Sequence, residues 1–455
     1  MVESFLARIE SLNPSLNAVV TLAGDAIERA RSADQALARN EQNGPLHGVP
    51  LTVKDTIETQ GLRTTSGSQL RKNYVPSRDA SVVARLKAAG AIILGKTNTP
   101  EMALPYETNN PVFGRTNNPH DLKLTPGGSS GGEAAAIAAC LSPAGVGSDL
   151  SGSIRVPAHF CGIVGLKPTT GLLPMDGHFP EASGAVSLGA CIGPMARTVA
   201  DAGLLLDAMA AQNASALNQT SGTVSGSSVA YYTYDGVVAV TKETARAVEK
   251  AAKILEAAGA ETREECPPGV THGSHLWIAL FSYPAAQQLQ QFYRGREGEA
   301  GPQVAVMLRE MHQSPVELKH KIDVAETRAK AVIERQRRRE ELLRWMKKTA
   351  LILAPVGSTP AFEHGTRRVK VGRQSISVFR AFSYSQTFNV FGLPSLVVPA
   401  GRSAEGLPIG IQIIGRPFEE RMVLNAARLI EEALGGWLLC PSTFSLPLRP
   451  SGPDK

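Results

Sequence analysis

The sequence predicts an α/β fold with a largely buried sheet, and three observations carry that expectation. Short apolar runs alternate along the chain with longer amphipathic segments, the order of strand and helix in an α/β protein. The runs are predominantly apolar, as strands covered on both faces are. The chain of 455 residues is long enough to bury a large core, and its 43% apolar and 19% charged residues are ordinary for a globular protein.

The elements follow in order. Residues 2–12 and 24–40 read as amphipathic helices. Val49–Lys54 follows Gly-Val-Pro and reads as a buried strand. Ser81–Ala89 is a helix ended by Gly90, and Ala91–Leu94 is the next strand. Glu133–Leu141 is a helix of small residues entered from a glycine loop, and Ala144–Gly147 is a strand leading into a second loop. Ala196–Ala211 reads as a helix. Residues 212–228 are polar and of low complexity, which predicts a surface loop. Val229–Tyr234 and Thr241–Ala258 read as strand then helix. Residues 274–350 are mostly helical, Ala350–Pro355, Ser395–Pro399 and Ile409–Ile414 are strands, and Met422–Leu434 is the last helix. No internal repeat is visible.

Composition excludes several classes. The net charge of +6 is small over this length. The basic run Arg335-Gln-Arg-Arg-Arg339 is flanked by Glu334, Glu340 and Glu341 in a helical pattern, so it reads as a solvated face and not a nucleic-acid stripe. The five cysteines, at 140, 161, 191, 266 and 440, are odd in number and form no CxxC pair. They predict reduced thiols and no zinc site. No apolar leader is visible at Met1-Val-Glu-Ser and no segment reaches the ~18 apolar residues of a spanning helix, so a cytoplasmic protein is expected.

Gly90-Ala-Ile-Ile-Leu-Gly-Lys-Thr97 matches the phosphate-loop pattern, but its middle four residues are themselves a strand and a turn follows, so nucleotide binding is rejected. Four other segments carry chemistry. Lys54 ends an apolar strand, where burial disfavours the charged amine. Snorkelling to solvent is the plain alternative. Thr125-Pro-Gly-Gly-Ser-Ser-Gly-Gly-Glu133 ends at a helix N-terminus, where backbone donors gather. Alone it would pass for a flexible loop or a phosphate site. Gly147-Ser-Asp-Leu-Ser-Gly-Ser-Ile-Arg155 places Ser153 beside successive N–H groups able to form an anion nest, with Asp149 and Arg155 placed to brace it.

These segments, with Cys161-Gly-Ile-Val-Gly-Leu-Lys-Pro168, closely resemble the amidase signature family in kind and order. Gly193-Pro-Met-Ala-Arg-Thr-Val-Ala-Asp201, Gly392-Leu-Pro-Ser395 and Gly406-Leu-Pro-Ile-Gly-Ile-Gln-Ile-Ile-Gly-Arg-Pro417 extend the similarity over nearly the whole chain, most weakly over residues 212–380. The resemblance implies one domain over 1–455, built on a large twisted mixed β-sheet with helices on both faces. Its catalytic core would lie at about 45–210 and a helical substrate-pocket region at about 270–350. It also implies a Ser–cis-Ser–Lys triad without metal or cofactor: Ser153 as nucleophile, Ser129 after a cis peptide as bridging serine, and Lys54 as base. Backbone N–H groups of Leu150, Ser151, Gly152 and Ser153 would hold the oxyanion, with Ser130, Asp149 and Arg155 in support. The family usually has glycine where this chain has Ser151, so a positive φ there would strain the backbone.

The function expected is hydrolysis of carbon–nitrogen amide bonds through an acyl-enzyme, with esters and carbamates open to the same chemistry. The substrate is a small-molecule amide, and a homodimer is compatible with that reading. Met102, Tyr106, Asn109 and Phe179 are expected to line the pocket, which favours apolar or aryl groups; core packing is the alternative for each. A second reading is the glutaminase subunit of a tRNA-dependent amidotransferase, acting with partner chains. Against it, Gly171-Leu-Leu-Pro-Met-Asp-Gly-His-Phe-Pro180 looks more like stand-alone amidases. A non-catalytic binding protein on this scaffold would have lost a triad residue, and all three are present. If Lys54 is the base, activity rises with pH; His47, His120 and His159, just outside the motifs, are the competing source of such a limb.

Overall fold

The computed structural model describes residues 1–210, 222–312 and 319–437. Most of the polar 212–228 segment, and Cys440, therefore lie outside the described residues. The strands in chain order begin with β1 (Val19–Leu22), β2 (Pro50–Lys54) and β3 (Ile92–Thr97). A small hairpin follows, β4 (Asn109–Asn110) with β5 (Gly114–Arg115). Next come β6 (Ala144–Asp149), β7 (Val164–Lys167), β8 (Cys191–Ala196), β9 (Ser228–Tyr231), β10 (Glu261–Glu264) and β11 (Leu351–Pro355). A second hairpin joins β12 (Arg368–Val371) to β13 (Gln374–Ser377), before β14 (Ser395–Arg402) and β15 (Pro408–Ile414).

Eleven of these strands form one sheet in the order β1-β3-β2-β6-β8-β7-β14-β15-β11-β9-β10. It is mixed: β2 runs parallel to β3 and β6, while β8, β7, β14 and β15 are antiparallel to their neighbours. Both faces are covered. On one face Leu51, Val53, Val146, Ile192, Val398 and Ile411 pack with helices including Ser81–Ala88, Val199–Ala210 and Glu420–Leu434. On the other, Met195, Ile352, Val397 and Ile414 pack with Arg155–Cys161 and Ser383–Val390. The period of two in a strand decides where Lys54 points. Leu51 and Val53 belong to the first core, so Thr52 and Lys54 face the opposite side, toward the helix Gly131–Ala138.

Four strands of this sheet, β1, β7, β8 and β10, and both small hairpins are absent from the sequence-based reading. Glycines interrupt the apolar pattern of β7 and β8, and Pro194 sits inside β8, where proline argues against a central strand. The expected helix Ala196–Ala211 starts instead at Val199, because Ala196 ends β8. The strand expected over Ala91–Leu94 runs on to Thr97 and takes Lys96 inside the sheet, where its amine is held by Ile57 O and Thr59 Oγ1. Four cysteines, 140, 161, 191 and 266, are free thiols. Among the described residues no helix is long and apolar enough to cross a membrane, and no cluster of three metal-ligating side chains occurs.

Candidate active site

β2 and β6 are parallel neighbours, so their C-terminal ends lie at the same edge of the sheet. Lys54 ends one and Ser148-Asp149 end the other. Lys54 is fully buried, and its Nζ lies 2.6 Å from Ser129 Oγ and 3.0 Å from Ser148 Oγ. Burial pulls its pKa down to about 7, against the opposing pull of Asp149 and Glu133. The amine is thus neutral above about pH 7, and its full burial excludes the snorkelling alternative.

Glu133 is the first of two carboxylates below the amine. It is fully buried, accepts from Thr52 Oγ1, and accepts from Thr97 Oγ1 at 2.7 Å. Burial raises its pKa to about 7 in spite of these hydrogen bonds. Gly145 makes room for it: a Cβ there would stand 2.1 Å from Glu133 Oε1. The helix Gly131–Ala138 is buried along its whole length, which its run of glycine and alanine permits.

The peptide Gly128–Ser129 is cis, as the resemblance implies. Ser130 ties the two serine loops together. Its N–H donates to Ser153 O at 3.0 Å and its hydroxyl to Ser148 O at 3.3 Å. Ser129 and Ser153 line one cavity and are nearly buried, at 1% and 7% exposure. No direct hydrogen bond between their hydroxyls occurs among the described residues.

The second carboxylate, Asp149, organises the Ser153 loop. It accepts from Gly152 N at 2.8 Å and Ile154 N at 3.1 Å, and pairs with Arg155 Nε and Nη2 at 3.0 Å each. Burial alone would raise its pKa, but the Arg155 guanidinium and the Asn389 amide hold it well below the usual carboxylate range. Arg155 donates in turn to Asn389 Oδ1 at 2.6 Å and Gln412 Oε1 at 2.9 Å. Gly152 takes the left-handed conformation, with φ of 103°, and a Cβ there would meet Ser385 Cβ at 2.7 Å. Ser151 does not share that conformation, so its departure from the family glycine carries no φ strain. Its carbonyl accepts from Tyr106 OH at 2.8 Å. The N–H of Gly152 is committed to Asp149, whereas those of Leu150, Ser151 and Ser153 make no hydrogen bond among the described residues.

The cavity over Ser129 and Ser153 is walled mainly by Met102, Leu104, Leu150, Met175, Val186 and Leu289. Of the four residues expected to line it, Met102 does. The other three need correction. Tyr106 packs on Phe382 at 4.5 Å between ring centroids, Phe179 packs against Phe292 under Arg71, and Asn109 is exposed in the β4–β5 hairpin. The histidines need correcting too. His47, His120 and His159 bond to main-chain groups and do not line the cavity. The histidine that does is His178.

Sequence reasoning missed His178, Ser148, Glu133, Asn389 and Gln412 as site residues. Ser148 and Glu133 stand inside the motifs and carried a signal. Asn389 and Gln412 lie more than 230 positions from Arg155; Gln412 stood in a matched motif without a role, and Asn389 stood in none.

A family model described as Amidase matches residues 1–424. A glutamyl-tRNA(Gln) amidotransferase subunit from Carboxydothermus hydrogenoformans is 36% identical, over 93% of this chain and 91% of that protein. Human fatty-acid amide hydrolase 2 is 32% identical, over 98% of this chain and 87% of that protein. Among solved structures, an amidase superposes with a TM-score of 0.83 at 29% identity, covering 95% of each chain. Four ordered motifs, a mixed sheet of this topology and a match over nearly the whole length agree, and the chain belongs to the amidase signature family of amide-hydrolysing enzymes.

Proposed function

We propose that this chain hydrolyses amides of apolar acyl groups through an acyl-enzyme on Ser153. The observation that carries the reading is a fully buried amine 2.6 Å from Ser129 Oγ, with Ser129 and Ser153 lining one apolar cavity. Lys54 takes the proton of Ser129, and Ser129 takes that of Ser153 as its oxygen attacks the carbonyl carbon. The free N–H groups of Leu150, Ser151 and Ser153 receive the oxyanion, while Asp149 stiffens the loop through Gly152 and Arg155. Ser129 then returns a proton to the departing amine. Water repeats the sequence on the ester and releases the acid. Ser129 and Ser153 need to close to hydrogen-bond distance during acylation, as catalytic contacts commonly tighten on substrate binding.

The wall of the cavity supports an apolar acyl group. Apart from Lys54 below it, no lysine or arginine among the described residues lines it to pair with the carboxylate of free glutamine. The likeness to human fatty-acid amide hydrolase 2 points the same way. A second reading is favoured by the amidotransferase relatives: a glutaminase subunit that works with partner chains. One experiment separates them. Purified protein alone is assayed on acyl anilides, fatty amides, carbamates and glutamine. Turnover of the apolar amides by the chain alone supports the first reading. Ammonia release from glutamine, and only with partner chains added, overturns it in favour of the second.

A further inference from the structure

A neutral primary amine has two N–H bonds and one lone pair. For Lys54 to act as base, the lone pair has to face Ser129 and the N–H bonds have to point elsewhere. One of them has an acceptor in Ser148 Oγ, 3.0 Å away. Ser148 accepts there when its own proton points away from the amine, and a fixed acceptor for that proton holds it so. That acceptor is His178 Nε2, 2.9 Å from Ser148 Oγ. Its role as acceptor is fixed from the far side of the ring. His178 Nδ1 lies 2.8 Å from Pro180 O. A carbonyl only accepts, so the ring proton sits on Nδ1 and Nε2 is left with a lone pair. The main chain holds the ring in place: Ile57 and His178 form an antiparallel bridge, and Phe179 N donates to Thr56 O at 2.8 Å, just beyond Lys54.

We propose that His178 is a positioning residue for the general base. Through Ser148 it sets the direction of the Lys54–Ser148 hydrogen bond, so that the lone pair is left for Ser129. The chain of donors runs one way, from Lys54 N–H to Ser148 O, from Ser148 O–H to His178 Nε2, and from His178 Nδ1–H to the Pro180 carbonyl. Without the imidazole, the Ser148 hydroxyl is free to turn and donate to the amine, which then offers its lone pair to the wrong serine. The charged and titratable groups facing this chain are Lys54 and Glu133 below it, Asp149 at the end of β6, and Glu181 and Cys191 on the cavity wall. Burial, then the proximity of Lys54, lowers the His178 pKa to about 4, so the ring is neutral wherever Lys54 is an active base.

The inference rests on Lys54 as base, and the test keeps the two apart. The rate at which a fluorophosphonate labels Ser153 reads acylation without knowledge of the substrate. It is followed from about pH 5 to 10 in the wild type and in His178→Leu, His178→Gln, Ser148→Ala and Lys54→Ala. His178→Leu is expected to lower the alkaline plateau about tenfold or more, and to move the rising limb to lower pH, because the new hydrogen bond from Ser148 favours the neutral amine. His178→Gln restores both, since its amide donates to Pro180 and accepts from Ser148. Ser148→Ala lowers the plateau as well, and adding His178→Leu to it slows labelling no further. A leucine variant with wild-type plateau and limb overturns the inference, and so does a glutamine variant as slow as the leucine one, which would make His178 only a wall of the pocket. Should the leucine variant fail to fold, a Ser148→Ala protein that labels at the wild-type rate overturns it equally. A wild type that is not labelled, or a Lys54→Ala protein labelled normally, overturns the reading of Lys54 itself, and the inference with it.

Discussion

Lys54 carries its proton in acid and loses it near pH 7, because the surrounding core disfavours the ammonium. The sign for activity follows. Acylation should climb about tenfold per pH unit below that value and level off above it, on the argument that only the neutral amine accepts a proton. Glu133 titrates in the same range, so the limb belongs to the pair and Glu133→Gln should displace it. His178, pushed down to about 4, lies too low to produce it. The measurement is the pH profile of kcat/KM with an acyl anilide; a limb unmoved by Glu133→Gln counts against the coupling. Ser153→Ala is expected to lose both turnover and fluorophosphonate labelling. Ser129→Ala and Lys54→Ala should each slow acylation by about 10²–10⁴-fold with the thermal melt unchanged. A folded Lys54→Ala enzyme of normal rate would sink the relay. These residues were legible in the sequence because each stands in a motif whose chemistry is local. His178 was not, since its value comes from a ring that reaches Ser148 across 30 positions of chain.

At the scale of elements, the Asp149–Arg155 pair joins the end of β6 to the first turn of Arg155–Cys161. Both side chains are fully buried. Removing one partner strands the other charge, so Arg155→Ala should cost about 3–5 kcal/mol of stability in a urea melt. A loss under about 1 kcal/mol would mean that the carboxylate finds water or a proton in place of the guanidinium. The long strands and helices of this scaffold were readable from apolar period and glycine punctuation. β7 and β8 were not, because the glycines that let neighbouring chains approach also erase the apolar run. Gly193 shows the reason: a Cβ there would stand 2.1 Å from Leu166 O of the adjacent strand.

At the scale of the whole molecule, the helix Tyr283–Tyr293 brings Ala285, Gln288 and Leu289 to the cavity wall from a later stretch of chain than the triad. The hold of this helical region on the site is specific. Tyr293 OH donates to the buried Glu101 carboxylate at 2.6 Å, next to Met102, and Trp277 Nε1 donates to Leu150 O at 2.7 Å. Tyr293→Phe removes a donor from that carboxylate and should cost about 1–3 kcal/mol. It should raise KM for an apolar amide more than it lowers kcat, since the wall moves and the triad does not. An unchanged KM in a destabilised protein would confine the contact to folding. The helices expected over 274–350 were legible by composition, whereas their attachment points depend on tertiary packing that no local pattern records.

The grip of Arg155 on Asn389 and Gln412 has a consequence for how the enzyme is born. The Ser153 loop is completed by residues that leave the ribosome some 230 to 260 positions after Arg155. A nascent chain with its lysine and both serines already synthesised still lacks the amides that hold Arg155 and Asp149 in register. Such a chain carries an unarmed serine, and arming coincides with the arrival of the sheet strand β15. Chains stopped before Asn389 are therefore expected to give no Ser153-dependent fluorophosphonate label, while the full chain does. Labelling of the truncated chain at the full-length rate would show that the first part of the molecule arms itself.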